Sequence, residues 1–304
     1  MRIGYACINT RMDCRATHTF RLKSYSIERL QETVRQNLDC LLRILQYNRD
    51  HDLLFFRIGS QLVPFASHPV NQFDWQEYFA PRFQAIGRFA MEHEMRLSMH
   101  PDQFILINSP DEGVFERSVA ELRYHVQVLD LMGLPPSAKV MIHVGGVYED
   151  RQASLQRFIT RYSLLEPAIR KRLAIENDDV SYPFADCLTL HQATGVPVVF
   201  DCFHHSILNQ GESVAEVMPS FVATWEAQDG PPLSHYSSQQ PDERTGKHAD
   251  TIDLVDFERF LQVTKPYDLD IMLEVKDKEA SALRAISVAR NDERFVASRV
   301  ATAS

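Results

Sequence analysis

The chain alternates short apolar runs with longer segments in which apolar residues recur every three or four positions, the pattern of strands followed by amphipathic helices. Residues 2–9 are strand-like, and Ser26 can cap a helix whose buried face is Ile27, Leu30, Val34, Leu38, Leu41 and Leu45. Residues 54–58 predict the second strand. Asp74 with Glu77 resembles a capping box for the next helix, which Pro81 is expected to kink or restart. Residues 97–100 predict the third strand. Ser109 then reads as an N-cap with Pro110 at the first helical position, and Gly133 closes a helix buried along Phe115, Val119, Leu122, Val126 and Leu129. Strands follow at 139–144, 173–177, 196–200, 232–236 and 270–275, each trailed by a helical pattern, the last of them over 278–290. The sixth is a continuous apolar run, as in parallel strands covered on both faces. Residues 291–304 are expected to form a frayed tail.

Eight strands each followed by a helix predict a single (β/α)₈ TIM barrel over 1–290, with a doubly wound open sheet as the alternative. A chain of 304 residues suits one such domain. The barrel gives meaning to a second pattern. Six strands end in a metal-type ligand: His100, His143, Glu176, Asp201, His235 and Glu274. In a barrel all those ends meet on one rim, so residues distant in sequence converge there. His204 and His248, on loops after the sixth and seventh strands, and His68, after the second, are placed to lean in. His205 is the weaker alternative to His204, because adjacent residues rarely aim at one ion. His18, His51, His93, His125 and His191 fall on predicted helices or an N-terminal loop and read as structural or solvated.

Imidazole and carboxylate without thiolate suit zinc or manganese, and nine candidate ligands exceed what one ion needs. Two or three divalent ions are implied, with Glu176 in mid-ring best placed to bridge two of them. Such clusters activate water and stabilise both oxygens of a phosphodiester displacement. Taken alone, the net charge of −9 opposes a nucleic-acid partner. Two or three divalent ions would add roughly +4 to +6 at the one face that matters, so the balance does not exclude DNA. The five cysteines contain no Cys-x-x-Cys pair and read as reduced, mostly buried thiols, against a disulfide framework or zinc ribbon. Without an apolar run of membrane length or a signal-peptide pattern, the chain is expected to be cytoplasmic.

Taken jointly, the motifs resemble one family. Met99-His100-Pro101, His143-Val144-Gly145-Gly146, Ile175-Glu176-Asn177-Asp178, Asp201-Cys202-Phe203-His204-His205, His248-Ala249-Asp250 and Leu273-Glu274-Val275-Lys276-Asp277-Lys278 are similar to the UV damage endonucleases, relatives of endonuclease IV. The resemblance spans Ile3 to about Lys278. It implies a barrel with up to three metals, most often manganese, with zinc or magnesium as substitutes. It also implies nicking of double-stranded DNA immediately 5′ of cyclobutane pyrimidine dimers, 6-4 photoproducts and often abasic sites, leaving a 3′-hydroxyl and a 5′-phosphate.

Carried over by position, the resemblance implies metal ligation by His100, His143, Glu176, Asp201, His204, His235, His248 and Glu274, with His68 as a further site histidine. Glu176, His100, His143 and Lys276 are the expected catalytic set, Lys276 as a phosphate contact. Tyr5, Asn9, Gln103 and Phe104 are the expected lesion-handling residues. Read without the family, Tyr5 and Asn9 are a core residue and a turn, and Phe104 a barrel cap. Where the family commonly carries a lysine that can be carboxylated near the metals, two residues before the seventh-strand histidine, this chain has Leu233. A monomer acting on damaged duplex is expected. A metal-dependent sugar isomerase and a non-catalytic lesion-binding protein are the competing readings, and the Gln103-Phe104 pair with the full ligand set favours the nuclease.

Overall fold

The computed structural model describes residues 1–298. Its strands are β1 Ile3–Ala6, β2 Phe55–Ile58, β3 Arg96–Met99, β4 Val140–His143, β5 Leu173–Glu176, β6 Val198–Asp201, β7 Leu233–Tyr236 and β8 Asp270–Leu273. Each pairs in parallel with the next, and β8 returns to β1 through Ile3↔Ile271 and Tyr5↔Leu273. That closure makes the expected TIM barrel and sets aside the open sheet.

The helices are α1 Ile27–Asp50, α2 Trp75–Glu92, α3 Glu112–Leu131, α4 Arg151–Leu164, α5 Pro167–Arg172, α6 Phe184–Thr194, α7 Cys202–Ile207, α8 Val214–Ala223, α9 Leu254–Val263 and α10 Glu279–Ala289. Most begin where a side chain can serve an orphan N–H. Ser26 accepts from the Arg29 amide, Asp74 from that of Glu77, and Ser213 with Glu216 closes a reciprocal capping box. Pro81 lies inside a continuous α2 and neither ends nor restarts it. The cap of α3 is Asp111 rather than Ser109, because the Asp111 carboxylate reaches the Val114 amide at 2.8 Å. Two short helices, α5 and α7, carry too few residues to show a periodic apolar face, and sequence reading missed them.

The N-terminal end of the barrel is plugged by ion pairs. Arg96 donates to the carbonyls of Ser137, Pro231 and Asp229 and to Asp270 at 3.0 Å, and Asp270 also accepts the Arg2 amide at 2.6 Å. Beside it, Lys139 meets Asp229 at 2.5 Å and the Lys171 carbonyl at 3.0 Å. Residues 291–298, expected to fray, are fastened to this end instead. Val296 donates to the Met1 carbonyl, and Arg294 to the carbonyls of Leu261, Thr264 and Tyr267. The rest of that expected tail, 299–304, lies outside the described residues.

One expectation about cysteine is corrected. Cys14 and Cys40 form a disulfide with 5.8 Å between their Cα atoms, while Cys7, Cys187 and Cys202 are free thiols. The loop after β1 folds back along α1, where Asn37 holds the His18 backbone from both sides, and this brings together two cysteines 26 positions apart. No helix among the described residues is long and apolar enough to cross a membrane.

Candidate metal centre

Six strand ends converge on the C-terminal rim as the alternation predicts. His143, Glu176 and Asp201 are the last residues of β4, β5 and β6; His100 and Glu274 directly follow β3 and β8; His235 is the penultimate residue of β7. Glu176 is the hub. Its Oε2 accepts from His100 Nε2 at 3.2 Å and its Oε1 from His235 Nδ1 at 2.9 Å, while His204 Nδ1 lies 3.7 Å from Oε1. Three groups whose ligand atoms lie within 4.8 Å of one another can be drawn: His100, His143 and Glu176; Glu176, Asp201 and His204; Glu176, His235 and Glu274. All three contain Glu176.

His204 is not on a loop. Asp201 caps α7 by accepting the His204 amide at 2.8 Å, so one carboxylate ends a strand, starts a helix and orients the next candidate ligand. Asn177 completes the arrangement by exchanging hydrogen bonds with the Asp201 backbone and accepting from His204 Nδ1 through its carbonyl. His205 points elsewhere, with Nε2 bonded to the Glu212 carbonyl.

The electrostatics fit cations. Burial opposes the charge on Glu176, but His235 and His143 together with the hydrogen bonds from His100 and His235 outweigh it and hold its carboxyl well below the usual range. Burial likewise works against ionisation of Glu274, yet the neighbouring Arg57 and His235 hold it low. Burial pushes Asp201 up to about 7 against the pull of His204. In turn, burial disfavours the His204 cation, and the carboxylates of Asp201, Glu176 and Glu274 overcome this to raise it to about 9. Three buried atoms of the cluster find no hydrogen-bond partner: His143 Nδ1, Asp201 Oδ2 and His235 Nε2. Such orphans are costly unless something else satisfies them. Lone pairs from nitrogen and carboxylate oxygen, without thiolate, are the donor set of a hard or borderline divalent ion.

The remaining predicted residues separate into near and far. His248 stands beside the cluster, its ring 5.7 Å from that of His204, but its Nδ1 donates to the Glu274 carbonyl and it joins none of the three groups. His68 is exposed, with Nδ1 accepting from the Val70 amide, and is not brought to the cluster. Lys276 pairs with Asp250 at the surface. Tyr5 and Asn9 are buried, the Tyr5 hydroxyl donating to Asn48 and accepting from Asn9, which matches a core pair. Gln103 and Phe104 do reach the site. They line a cleft of about 400 Å³ with Cys7, Arg57, His100 and Glu176, and Phe104 is 74% exposed. A second cleft of about 340 Å³ adjoins it past His100 and His143 toward the 178–181 loop, where Asp178 holds the amides of Val180 and Ser181.

Two functional candidates escaped sequence reading. Asn177 sits inside a quoted motif without having been given a role. Arg57, whose Nη1 lies 2.5 Å from Glu274 Oε1, was visible only as a charge inside an apolar strand.

A family profile described as UV-endonuclease UvdE matches residues 1–299. The chain is 34% identical over 289 residues to a UV DNA damage endonuclease of Clostridium perfringens, covering 94% of this chain and 70% of that protein. It is similar to the crystal structure of SacUVDE at 43% identity and a TM-score of 0.91, over 96% of this chain and 98% of the other. Endonuclease IV of Thermus thermophilus shares the fold at a TM-score of 0.56 and 18% identity, over 83% and 93%.

Proposed function

The chain belongs to the UV-endonuclease UvdE family of DNA-repair nucleases, and from that premise we propose a metal-dependent incision immediately 5′ of cyclobutane pyrimidine dimers and 6-4 photoproducts. Abasic sites are further substrates in this reading, and the products are a 3′-hydroxyl and a 5′-phosphate. The observation that carries it is the sharing of Glu176 by three ligand groups directly beside the exposed Phe104. Manganese is the proposed ion, in two or three copies held by His100, His143, Glu176, Asp201, His204, His235 and Glu274, with His248 at the edge. Bound there, divalent ions supply an activated water and charge neutralisation for the displaced oxygen.

The protein residues have their own tasks. Glu176 keeps the ligand groups at bonding distance from each other, and Asn177 fixes the Asp201 backbone and the His204 ring. Gln103 and Phe104 fill the gap left when a damaged dinucleotide leaves the stack. A crosslinked pyrimidine pair stacks poorly, so extruding it costs less than the few kcal/mol of an intact step. Replacing both by alanine is expected to weaken binding to dimer-containing duplex, and less so to abasic duplex, at unchanged metal content. Equal binding by the double variant would leave Phe104 as a barrel cap. Tyr5 and Asn9 can join the lesion contact only by giving up their mutual hydrogen bond, and Lys276 only by leaving Asp250.

All the proposed ligands come from one chain, which supports a monomer. A substrate of cellular DNA supports a cytoplasmic enzyme, although the Cys14–Cys40 bond is uncommon in reducing compartments. The test is incubation of purified protein and manganese with UV-irradiated and unirradiated supercoiled plasmid. Nicking restricted to irradiated plasmid is expected. Equal nicking of both, or of neither, overturns the reading.

A further inference from the structure

Among the described residues lining the two clefts at the rim, Arg57 is the only arginine or lysine. It reaches there from the third position of β2, paired with Ala6 on one side and Ser98 on the other. Its side chain is 13% exposed and spends one nitrogen, Nη1, on Glu274. Nε and Nη2 have no hydrogen-bond partner among the described residues, yet they are not among the fully buried orphans of the site. They are therefore open to whatever enters the cleft, whose other walls include Gln103, Phe104, His100, His143 and Glu176. The guanidinium stays charged throughout the working pH range.

We propose that Arg57 is a phosphate contact of the damaged strand, with Nη1 held by Glu274 and the remaining N–H groups donating to a non-bridging phosphodiester oxygen. This rests on the reading of the site as a DNA nuclease and adds to it a binding residue outside the ligand groups. A planar fork can hold a carboxylate on one edge and a phosphate on another, whereas an ammonium offers a single point charge. Arg57 thus ties the position of the substrate to that of Glu274. No other permanent cation lines the clefts among the described residues, so loss of this contact is not covered by a neighbour.

The test measures binding of the chelator-treated protein to dimer-containing duplex across a salt series, alongside metal content and incision with manganese. Arg57→Gln is expected to weaken binding roughly tenfold and to lower the slope of log affinity against log salt by about one. Arg57→Lys is expected to keep most of the salt slope while losing incision, because one ammonium cannot hold both partners. A residue that merely braced Glu274 would change metal content and leave the slope as it was. An unchanged slope in a folded Arg57→Gln protein therefore overturns the proposal. If that variant does not fold, Arg57→Lys decides, and wild-type incision by it rejects the role. A wild-type protein that fails on irradiated plasmid removes the nuclease reading instead; one that nicks it and shows no dependence on Arg57 removes only this inference.

Discussion

At the N-terminal end of the barrel, Asp270 and Asp229 each meet a buried cation, and the cations also bind backbone carbonyls. At the C-terminal end, Glu176, Asp201 and Glu274 share one guanidinium and a ring of imidazoles. Both ends bury charge in the same fold. They differ in whether the protein supplies the counter-ions itself. Closed pairs at the bottom leave little for an external ion to gain, while the surplus of carboxylate and the orphaned donors at the rim reward one. Burial thus serves integrity below and capture above.

The comparison breaks most severely at Glu176. Glu176→Gln is expected to deplete bound metal and to reduce incision by more than about 100-fold, with the circular dichroism spectrum preserved. Normal metal content in that variant, measured by elemental analysis, would remove Glu176 from the hub. The mirror experiment is Asp270→Asn, which strands Arg96 in the interior and is expected to cost about 3–5 kcal/mol in denaturant unfolding. The folded fraction should bind its usual complement of metal. A metal defect there without loss of stability would mean that the two ends are not separate in function.

A third outcome sharpens the contrast through pH. His204 is raised from its ordinary 6.5 to about 9, so its contribution to the metal-free fold is complete below about pH 6.5 and is lost as pH climbs through about 9. Asp201, raised to about 7, acts in the same direction, its contribution falling away as pH rises through that value. Metal-free protein should therefore lose on the order of 1–3 kcal/mol between pH 6.5 and 9. Manganese should bind more tightly over the same interval, since the imidazole protons must leave first. Thermal melts with and without the ion test both halves, and a flat metal-free profile contradicts them. The smallest effect expected is at Leu233, fully buried two residues before His235 and paired with Asp270. Leu233→Lys is expected to lower the manganese needed for half-maximal incision a few-fold; an unchanged requirement leaves the leucine irrelevant to the metals.

The convergence of the six strand-end side chains was legible because strand geometry fixes where a strand ends, and a barrel gathers those ends whatever the loops do. The helical position of His204 was not legible, since α7 is a single capped turn and a half with no apolar period to read. His68 illustrates the limit of placing a residue by its loop: a long loop sets which end of the barrel a side chain is on, without setting its direction. Tyr5 shows the same limit on a strand, and Asn9, expected on that strand, lies in the loop beyond it. Periodicity says that alternate residues face opposite ways, and only the packing of α1, with Asn48 reaching the hydroxyl, decides which way Tyr5 faces. Arg57 hid among phenylalanines for want of a motif.

The bond between Cys14 and Cys40, once formed, also constrains the unfolded chain. A ring closed across 26 positions in the unfolded polymer loses conformations that an open chain would sample, worth roughly 3.5 kcal/mol at room temperature by ring-closure entropy. The ring encloses most of the segment that leads from β1 to α1, including Arg15, His18 and Arg21, and leaves β1 just outside it. The barrel's opening strand and first helix therefore begin their search for one another on a short tether, and a reductant lengthens it without touching a single rim ligand.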